Sequence, residues 1–311
     1  MKMKNWLKTL LSGVAIGFGS AVPGVSGGTI AVIFGVYNKI IWAVSNIIKH
    51  FKQAIVIVLP VLLGVVIGFV PTFFLMEKAL NGFVFGVICI FAGFIIGSIP
   101  GIRDEVKEVK PNKKHYIALI VCALVAVGLG VGSVFAKADL QQYFDQTPIW
   151  FYFVLIPVGF VASVALVVPG VSGAMLLLLL GFYKPLMSFV TGFLSSWAGF
   201  GHFIGIIGCL AIGIILGFFF ISKLMHYLLS KYHDVTFYSI FGFVIGSVPA
   251  LFYNYTICDY YHKWMEGKAG YTPIYIEIPI GIVLLIGFTI LSYLLVRYKR
   301  KAEQNEKEIA E

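Results

Sequence analysis

The chain has 311 residues, of which 59% are hydrophobic and only 12% are charged, and its mean hydropathy is +0.95. This composition excludes a soluble globular domain. The net charge of +9 comes from basic residues at loops between apolar segments, so it does not indicate nucleic-acid binding. We therefore expect an all-α polytopic membrane protein with no nucleic-acid partner.

Six apolar segments are long enough to cross a bilayer as helices, which takes about 20 residues each. In chain order they are residues 54–76, 80–101, 116–136, 203–222, 235–253 and 278–297. The basic but apolar start carries no small-x-small cleavage site, so we expect no removable signal peptide. With a cytoplasmic N-terminus, 17 of the 23 Lys and Arg residues fall in inside segments and four fall outside. This asymmetry predicts that both termini are cytoplasmic.

Two further apolar segments occur, one before the first three spans, at residues 6–48, and one before the last three, at residues 149–201. The topology closes only if each leaves the membrane on the side where it entered, so we call them the first and second hairpins. Three spans follow the first hairpin, and an odd number inserts the second half upside down. The sequence thus predicts one transmembrane domain, residues 1–298, built from inverted repeats 5–136 and 149–298, and a charged cytoplasmic tail, residues 299–311.

An internal duplication supports this division. Residues 22–29 read V-P-G-V-S-G-G-T, and 146 residues later residues 168–175 read V-P-G-V-S-G-A-M. Each copy is followed at the same distance by Gly-x-Tyr, ending at Tyr37 and Tyr183. A second signature, G-F-x-x-G-S-x-P, occurs at residues 93–100 and 242–249, at an offset of 149. Because the two signatures recur in the same order at nearly the same offset, they indicate that the chain contains a repeat.

We call residues 22–29 and 168–175 the first and second tips, because the topology places them at the turns of the hairpins. From Ser26 to Tyr37 a helix rises only about 16 Å, roughly half the hydrocarbon thickness. This length favours re-entrant hairpins beside six full spans. Ten full transmembrane helices are the alternative.

The chemistry of the tips favours an anion site; the alternative is that their small residues only allow a close helix crossing. Proline stops the incoming helix, glycine lets a ligand approach the backbone, and serine is a favoured N-cap. The helix that follows presents free N–H groups, which bind anions without a charged side chain. The predicted phosphate-binding residues are Pro23, Gly24, Val25, Ser26, Gly27, Gly28, Thr29, Pro169, Gly170, Val171, Ser172, Gly173 and Ala174.

Four other polar residues are candidates for ion coupling or for attracting phosphate. Glu77 and His226 follow Leu-Met at equivalent positions, where they could couple proton movement to transport; a simple position at the membrane interface is the alternative. Lys39 and Lys184 lie beyond the tips, where interface anchoring is the simpler interpretation. The four cysteines have no metal-binding or redox spacing, so we expect no metal site, cofactor or catalytic residue.

The two duplicated signatures resemble a bacterial family of polyprenyl-phosphate transporters, over residues 5–298. The resemblance implies a flippase that returns undecaprenyl phosphate from the outer to the inner leaflet of the cell membrane, for recycling of the cell-wall lipid carrier. One departure is that the second copy reads Ala174-Met175 where the first has Gly28-Thr29, so we expect the two tips not to bind equally. A small-anion or ion-coupled metabolite transporter is the alternative, because the same repeat architecture occurs there. A lipid-phosphate enzyme is disfavoured because the hairpins contain no nucleophile–carboxylate set.

Overall fold

The structure, a computed structural model, describes residues 3–25, 27–45, 49–107, 109–135, 140–168, 171–266 and 272–310. All secondary structure in these ranges is helical. The α-helices are α1 (Met3–Ala21), α2 (Gly27–Ile33), α3 (Tyr37–Ser45), α4 (Phe51–Gly82), α5 (Val84–Arg103), α6 (Lys113–Phe135), α7 (Gln141–Gln146), α8 (Ile149–Ala162), α9 (Val164–Val167), α10 (Gly173–Leu179), α11 (Tyr183–Ser196), α12 (Phe200–Phe252), α13 (Tyr255–Met265) and α14 (Ile274–Ala310). A short 3-10 helix follows α5.

Six helical stretches in the described ranges are long and apolar enough to cross a membrane. They are Phe51–Gly82, Val84–Arg103, Lys113–Phe135, Ile149–Val167, Phe200–Met265 and Ile274–Tyr298. The prediction of an all-helical membrane protein with about six long apolar helices is therefore confirmed. The six membrane-length stretches are not the six predicted spans. Predicted spans 203–222 and 235–253 lie together in α12, and the sixth stretch, Ile149–Val167, is the first part of the second hairpin.

The continuous helix α12 contains a break that has a counterpart in the first half. Tyr232 has φ −135° and ψ 43°, which is not helical. Phe83, which separates α4 from α5, lies 149 residues earlier and has φ −136° and ψ 49°. The same one-residue turn therefore occurs at equivalent positions in both halves, and the two predicted spans lie on either side of it.

Close glycine contacts join α1 to α4. A Cβ added at Gly13 would lie 2.4 Å from the Val61 carbonyl oxygen, and one added at Gly17 would lie 2.2 Å from that of Val65. Small residues allow helix backbones in a membrane to approach this closely. From the first contact to the second, the residue number rises by four on both helices, so α1 and α4 run parallel. The chain between them, including α2 and α3, consequently returns to the level where α1 began.

The second half repeats this packing, because Gly213 and Gly217 are equivalent to Gly64 and Gly68 of α4, which lie against the Leu10 and Val14 carbonyls of α1. A Cβ at Gly213 would lie 2.1 Å from the Ile156 carbonyl oxygen, and one at Gly217 would lie 2.6 Å from that of Phe160. The residue number again rises by four on both helices, so α8 runs parallel to the first part of α12. Each hairpin therefore begins with a helix that packs along the long helix following the hairpin.

The remaining long helices cross between the halves. Gly97 of α5 lies against the Thr289 carbonyl of α14, and Gly246 of α12 lies against the Ala123 carbonyl of α6; added Cβ atoms would be 2.4 and 2.3 Å away. Gly97 and Gly246 belong to the two copies of the second signature. The last long helix of each half thus packs on the other half, and the two halves are intertwined.

Candidate functional site

The same backbone hydrogen bond occurs at both tips. The Val25 N–H donates to the Val22 carbonyl at 3.2 Å, and the Val171 N–H donates to the Val168 carbonyl at 3.4 Å. Gly24 lies within the first turn with φ +87°, a left-handed conformation that glycine adopts at low cost. The equivalent Gly170 lies outside the described residues, as do Ser26 and Pro169. The repeated sequence therefore specifies a repeated local structure.

The first tip lies against the middle of a membrane-length helix. A Cβ added at Gly24 would lie 2.9 Å from the Ile95 and Phe94 side chains of α5, and 3.1 Å from the Ile95 nitrogen. Pro23 beside it is buried. α5 extends from Val84 to Arg103, so residues 94 and 95 are at its centre. The glycine at this position is required by close approach as well as by its positive φ.

Short helices follow both tips. Gly27, Gly28 and Thr29 open α2, and Gly173 and Ala174 open α10; each helix has seven residues. Both end in the same way. Gly35 (φ +65°) and Gly181 (φ +81°) terminate them, while the Val36 N–H donates to the Ala31 carbonyl at 3.0 Å and the Phe182 N–H to the Leu177 carbonyl at 2.8 Å. This is a Schellman ending. The glycine of each Gly-x-Tyr thus stops a helix, a role that the sequence interpretation missed.

Ser172 occupies the N-cap position of α10, with an extended backbone at φ −106° and ψ 135°. The position agrees with the prediction, but the side chain makes no capping hydrogen bond, so the predicted capping role is wrong for this copy. The residue is only 8% exposed, and no described residue bonds its hydroxyl. The hydroxyl is not turned toward the first-turn N–H groups of Gly173, Ala174 and Met175, which also have no backbone acceptor within the described ranges.

A hydrogen bond connects the two hairpins. The Tyr183 hydroxyl, at the start of α11, donates to the Ala21 carbonyl at the end of α1, with an oxygen–oxygen distance of 2.8 Å. The Tyr183 ring also meets the Phe91 ring of α5 edge-on, at a centroid distance of 6.1 Å. Ala21 lies two residues before Pro23. The structure therefore brings the first tip, the centre of α5 and the second hairpin together.

The structure places the four remaining candidates in different surroundings. The Glu77 carboxylate accepts bonds from the Asn81 amide at 3.3 Å and the Ser188 hydroxyl at 3.5 Å. It also lines a groove of about 670 Å³ between α4 and α11. His226 and Lys39 are exposed, and Lys184 is partly buried. No described contact joins Glu77 to His226, so the structure does not bring that pair together.

The sequence interpretation did not single out Glu277. It is fully buried near the start of α14, where its carboxylate accepts the Gly86 N–H at 3.2 Å and the Tyr260 hydroxyl. Gly86 is in the first turn of α5, so the carboxylate satisfies a free donor of that helix. Glu277 therefore holds the starts of α5 and α14 side by side. Its position near a polar loop offered no sequence signal for this burial.

No group of three or more His, Cys, Asp or Glu residues within the described ranges is placed to hold a metal ion. The four cysteines are unpaired thiols. The tips consist of apolar residues, glycine, serine and Thr29, and their described polar groups include the first-turn N–H donors of α10 and the Ser172 hydroxyl. Such a set can hold an anionic group by hydrogen bonds.

Long apolar helices around a duplicated, largely buried turn define a multi-pass membrane protein. The sequence profile of the undecaprenyl phosphate translocase-like family matches residues 16–268, which include both tips. The chain is 31% identical over 259 residues to the polyprenyl-phosphate transporter of Staphylococcus aureus, covering 81% of this chain and 88% of that protein. It is 27% identical over 264 residues to the Vibrio cholerae polyprenyl-phosphate transporter, covering 80% and 79%.

This chain belongs to the undecaprenyl phosphate translocase-like family. The resemblance that the two duplicated signatures indicated is thereby confirmed. No solved structure matches the chain significantly.

Proposed function

We propose that this protein moves undecaprenyl phosphate from the outer to the inner leaflet of the bacterial cell membrane, where the lipid carrier is used again for cell-wall precursors. The observation that carries the proposal is family membership over residues 16–268, a range that contains both copies of the tip sequence. The two relatives named above are polyprenyl-phosphate transporters. The protein acts as a carrier and carries out no covalent chemistry on the lipid.

The halves are inverted repeats, residues 5–136 and 149–298. Parallel packing of α1 with α4 and of α8 with α12 supports this, because each hairpin must then return to its starting side. The Arg300 guanidinium pairs with the Asp104 carboxylate and donates to the Pro100 carbonyl at 2.7 Å, so the ends of α5 and α14 lie together. With the excess of basic residues on one side, both termini are cytoplasmic.

The hairpins are re-entrant, with their tips near the middle of the membrane. The contact of Gly24 with the centre of α5 supports this depth. In the second hairpin, the chain bends by 112° between α10 and α11, so α11 does not continue the direction of α10 through the bilayer. Because α1 is 19 residues long, about 28 Å, and has the length to cross, ten spans is the arrangement that a measurement of tip depth would test against this one.

The phosphate binds at the tips. The Ser172 hydroxyl, which no described residue bonds, and the N–H groups of Gly173 and Ala174, which have no backbone acceptor among the described residues, support an anion at the second tip. At the first tip, Gly24 lets the turn pack closely on the centre of α5, which fixes the position of the tip. A charged headgroup at the bilayer centre costs many kcal/mol unless donors replace its water. Fixed N–H and O–H donors lower that cost, while the polyprenyl tail stays in the lipid.

Movement of one hairpin against the other exposes the headgroup first outside and then inside. Glu77 is our candidate for coupling this movement to a proton or sodium gradient, because its carboxylate touches Ser188 of the second hairpin. Lys39 and Lys184 follow the tips closely enough to attract the phosphate toward them.

The test is leaflet exchange by the purified protein in liposomes. We expect undecaprenyl phosphate to change leaflet, and the neutral polyprenol of the same chain length to move poorly because it gains little from N–H donors. Equal movement of phosphate and alcohol would contradict the anion site. Movement of neither, together with uptake of a small anion, would establish the small-anion alternative instead.

A further inference from the structure

The two tyrosines that follow the tips occupy equivalent positions but have opposite surroundings. Tyr183 is 3% exposed, and its hydroxyl donates to the Ala21 carbonyl at 2.8 Å. Tyr37 lies 146 residues earlier and is 43% exposed, with no hydrogen bond from its hydroxyl to any described residue. The residue equivalent to Ala21 is Val167, at the end of α9. The repeat therefore has two possible cross-hairpin bonds, and one of them is made.

A second equivalent pair shows the same asymmetry. The Ser188 hydroxyl of the second hairpin contacts the Glu77 carboxylate of the first half at 3.5 Å. The equivalent residues are Trp42 in the first hairpin and His226 in the second half. Trp42 is 41% exposed, and its ring stacks on the His50 ring of the same half at a centroid distance of 6.3 Å. His226 is also exposed. The second hairpin is docked on the first half, and the first hairpin is not docked on the second half in the equivalent way.

The local turns cannot explain this difference, because they are the same in both copies. The N–H of Gly35 donates to Val32 at 2.9 Å and that of Gly181 donates to Leu178 at 3.0 Å, so each tyrosine leaves its helix in the same way. The difference therefore lies in how each hairpin is placed against the other half. In a carrier built from inverted equivalent halves, exchanging the conformations of the halves produces the opposite-facing state.

We propose that Tyr183 and Tyr37 are alternating latches that close the two sides of the carrier in turn. In the state described here, the Tyr183–Ala21 bond holds the second hairpin closed. In the opposite state the Tyr37 hydroxyl bonds the Val167 carbonyl, and Tyr183 becomes exposed as Tyr37 is now. A buried tyrosine hydroxyl needs a partner, so leaving Ala21 requires the side chain to move out of the core. With the orientation proposed above, on which this inference rests, the structure faces the cytoplasm.

The experiment uses two matched pairs of cysteines in the full-length protein lacking its four native cysteines. Glu77→Cys with Ser188→Cys reports the docked second hairpin, and Trp42→Cys with His226→Cys reports the docked first hairpin. A short thiol cross-linker is applied, and the yields of the two pairs are compared in otherwise identical proteins. Each pair is then combined with Tyr183→Phe, Tyr37→Phe or Tyr275→Phe. Tyr275 is 75% exposed and serves as the control.

We expect Tyr183→Phe to lower the 77/188 yield relative to the 42/226 yield, and Tyr37→Phe to change the ratio in the opposite direction. Each shift should be roughly fivefold, the effect of one ordinary hydrogen bond on an equilibrium constant. Tyr275→Phe should leave the ratio unchanged. Unchanged ratios in both latch variants, or shifts in the same direction, would overturn the proposal.

The cross-linking result and the transport result are separable. If the wild-type protein moves undecaprenyl phosphate but the yields do not respond to the tyrosine substitutions, the latches are wrong and the proposed function stands. If the yields shift in opposite directions but no polyprenyl lipid moves, the latches stand and the substrate is wrong.

Discussion

The first and second hairpins make the same local turns but differ in what they contact. The turn bonds at Val25 and Val171, and the glycine endings of α2 and α10, recur at an offset of 146 residues. Beyond those turns, the second hairpin reaches the first half through Tyr183, whereas the equivalent Tyr37 stays exposed. Local sequence therefore determines the shape of each hairpin, and packing between the halves determines its position.

The tips also differ in chemistry. Met175, in the second tip, is 1% exposed and belongs to the main apolar core, where the first tip has a threonine at the equivalent position. The second tip is therefore the more apolar of the two, and its Ser172 is 8% exposed. This difference is the structural counterpart of the unequal binding that the replacement of Gly28-Thr29 by Ala174-Met175 predicts, and unequal binding stays a prediction.

The largest effect is expected in a test of whether the two halves have opposite orientations in the membrane. After replacement of the native cysteines, Lys107→Cys should react with a membrane-impermeant maleimide only from the cytoplasm. Lys263→Cys should react only from outside. The loss of the Lys263–Asp259 ion pair, at 2.5 Å on the surface, should cost little. The measurement is labelling of intact cells against inside-out vesicles, and the reverse pattern would end the orientation proposed here.

The next largest effect is expected at the first tip. Gly24→Leu places a side chain where φ is +87° and where even a Cβ lies 2.9 Å from Phe94 and Ile95. Strain of this kind costs about 1–3 kcal/mol before the clash is counted. Transport should fall on the order of a hundredfold, measured by leaflet exchange at equal membrane content. From the repeat, we predict the same for Gly170→Leu.

Gly128→Leu in α6 is the matched control, because nothing lies within 4 Å of a Cβ added there. It should transport normally and reach the membrane in the same amount. If Gly24→Leu transports as well as Gly128→Leu, transport does not depend on the conformation of the first tip, and the phosphate binds elsewhere.

A smaller effect should distinguish the second tip from ordinary buried serines. Ser172→Ala removes an unpartnered hydroxyl, so the free energy of unfolding should change little. Transport should fall by roughly fivefold, because about 1 kcal/mol of hydrogen bonding to the phosphate is lost. Ser239→Ala is the control, since that hydroxyl bonds the Val235 carbonyl at 2.8 Å, away from the tips. Transport would be compared with thermal stability in detergent, and equal transport by both variants would remove Ser172 from the site.

The sequence by itself determined the class, the apolar helices and the repeat. Hydrophobic length is enough to identify membrane helices, because a bilayer demands about 20 apolar residues whatever the fold. The two identical stretches of five residues also accompany the same backbone hydrogen bond at both tips, since proline and glycine restrict the backbone locally. The two signatures were specific enough to indicate the family, which the comparisons confirmed.

Only the tertiary structure decided which groups meet. Nothing in the spacing of Tyr183 pointed to the Ala21 carbonyl 162 residues away, and Glu277 gave no sign that it would cap α5. The Ser172 hydroxyl sits at the predicted N-cap but makes no capping bond, and Glu77 does not meet His226. Contacts between distant segments depend on how whole helices pack, and two equal copies of a motif cannot reveal from their sequence which one is docked.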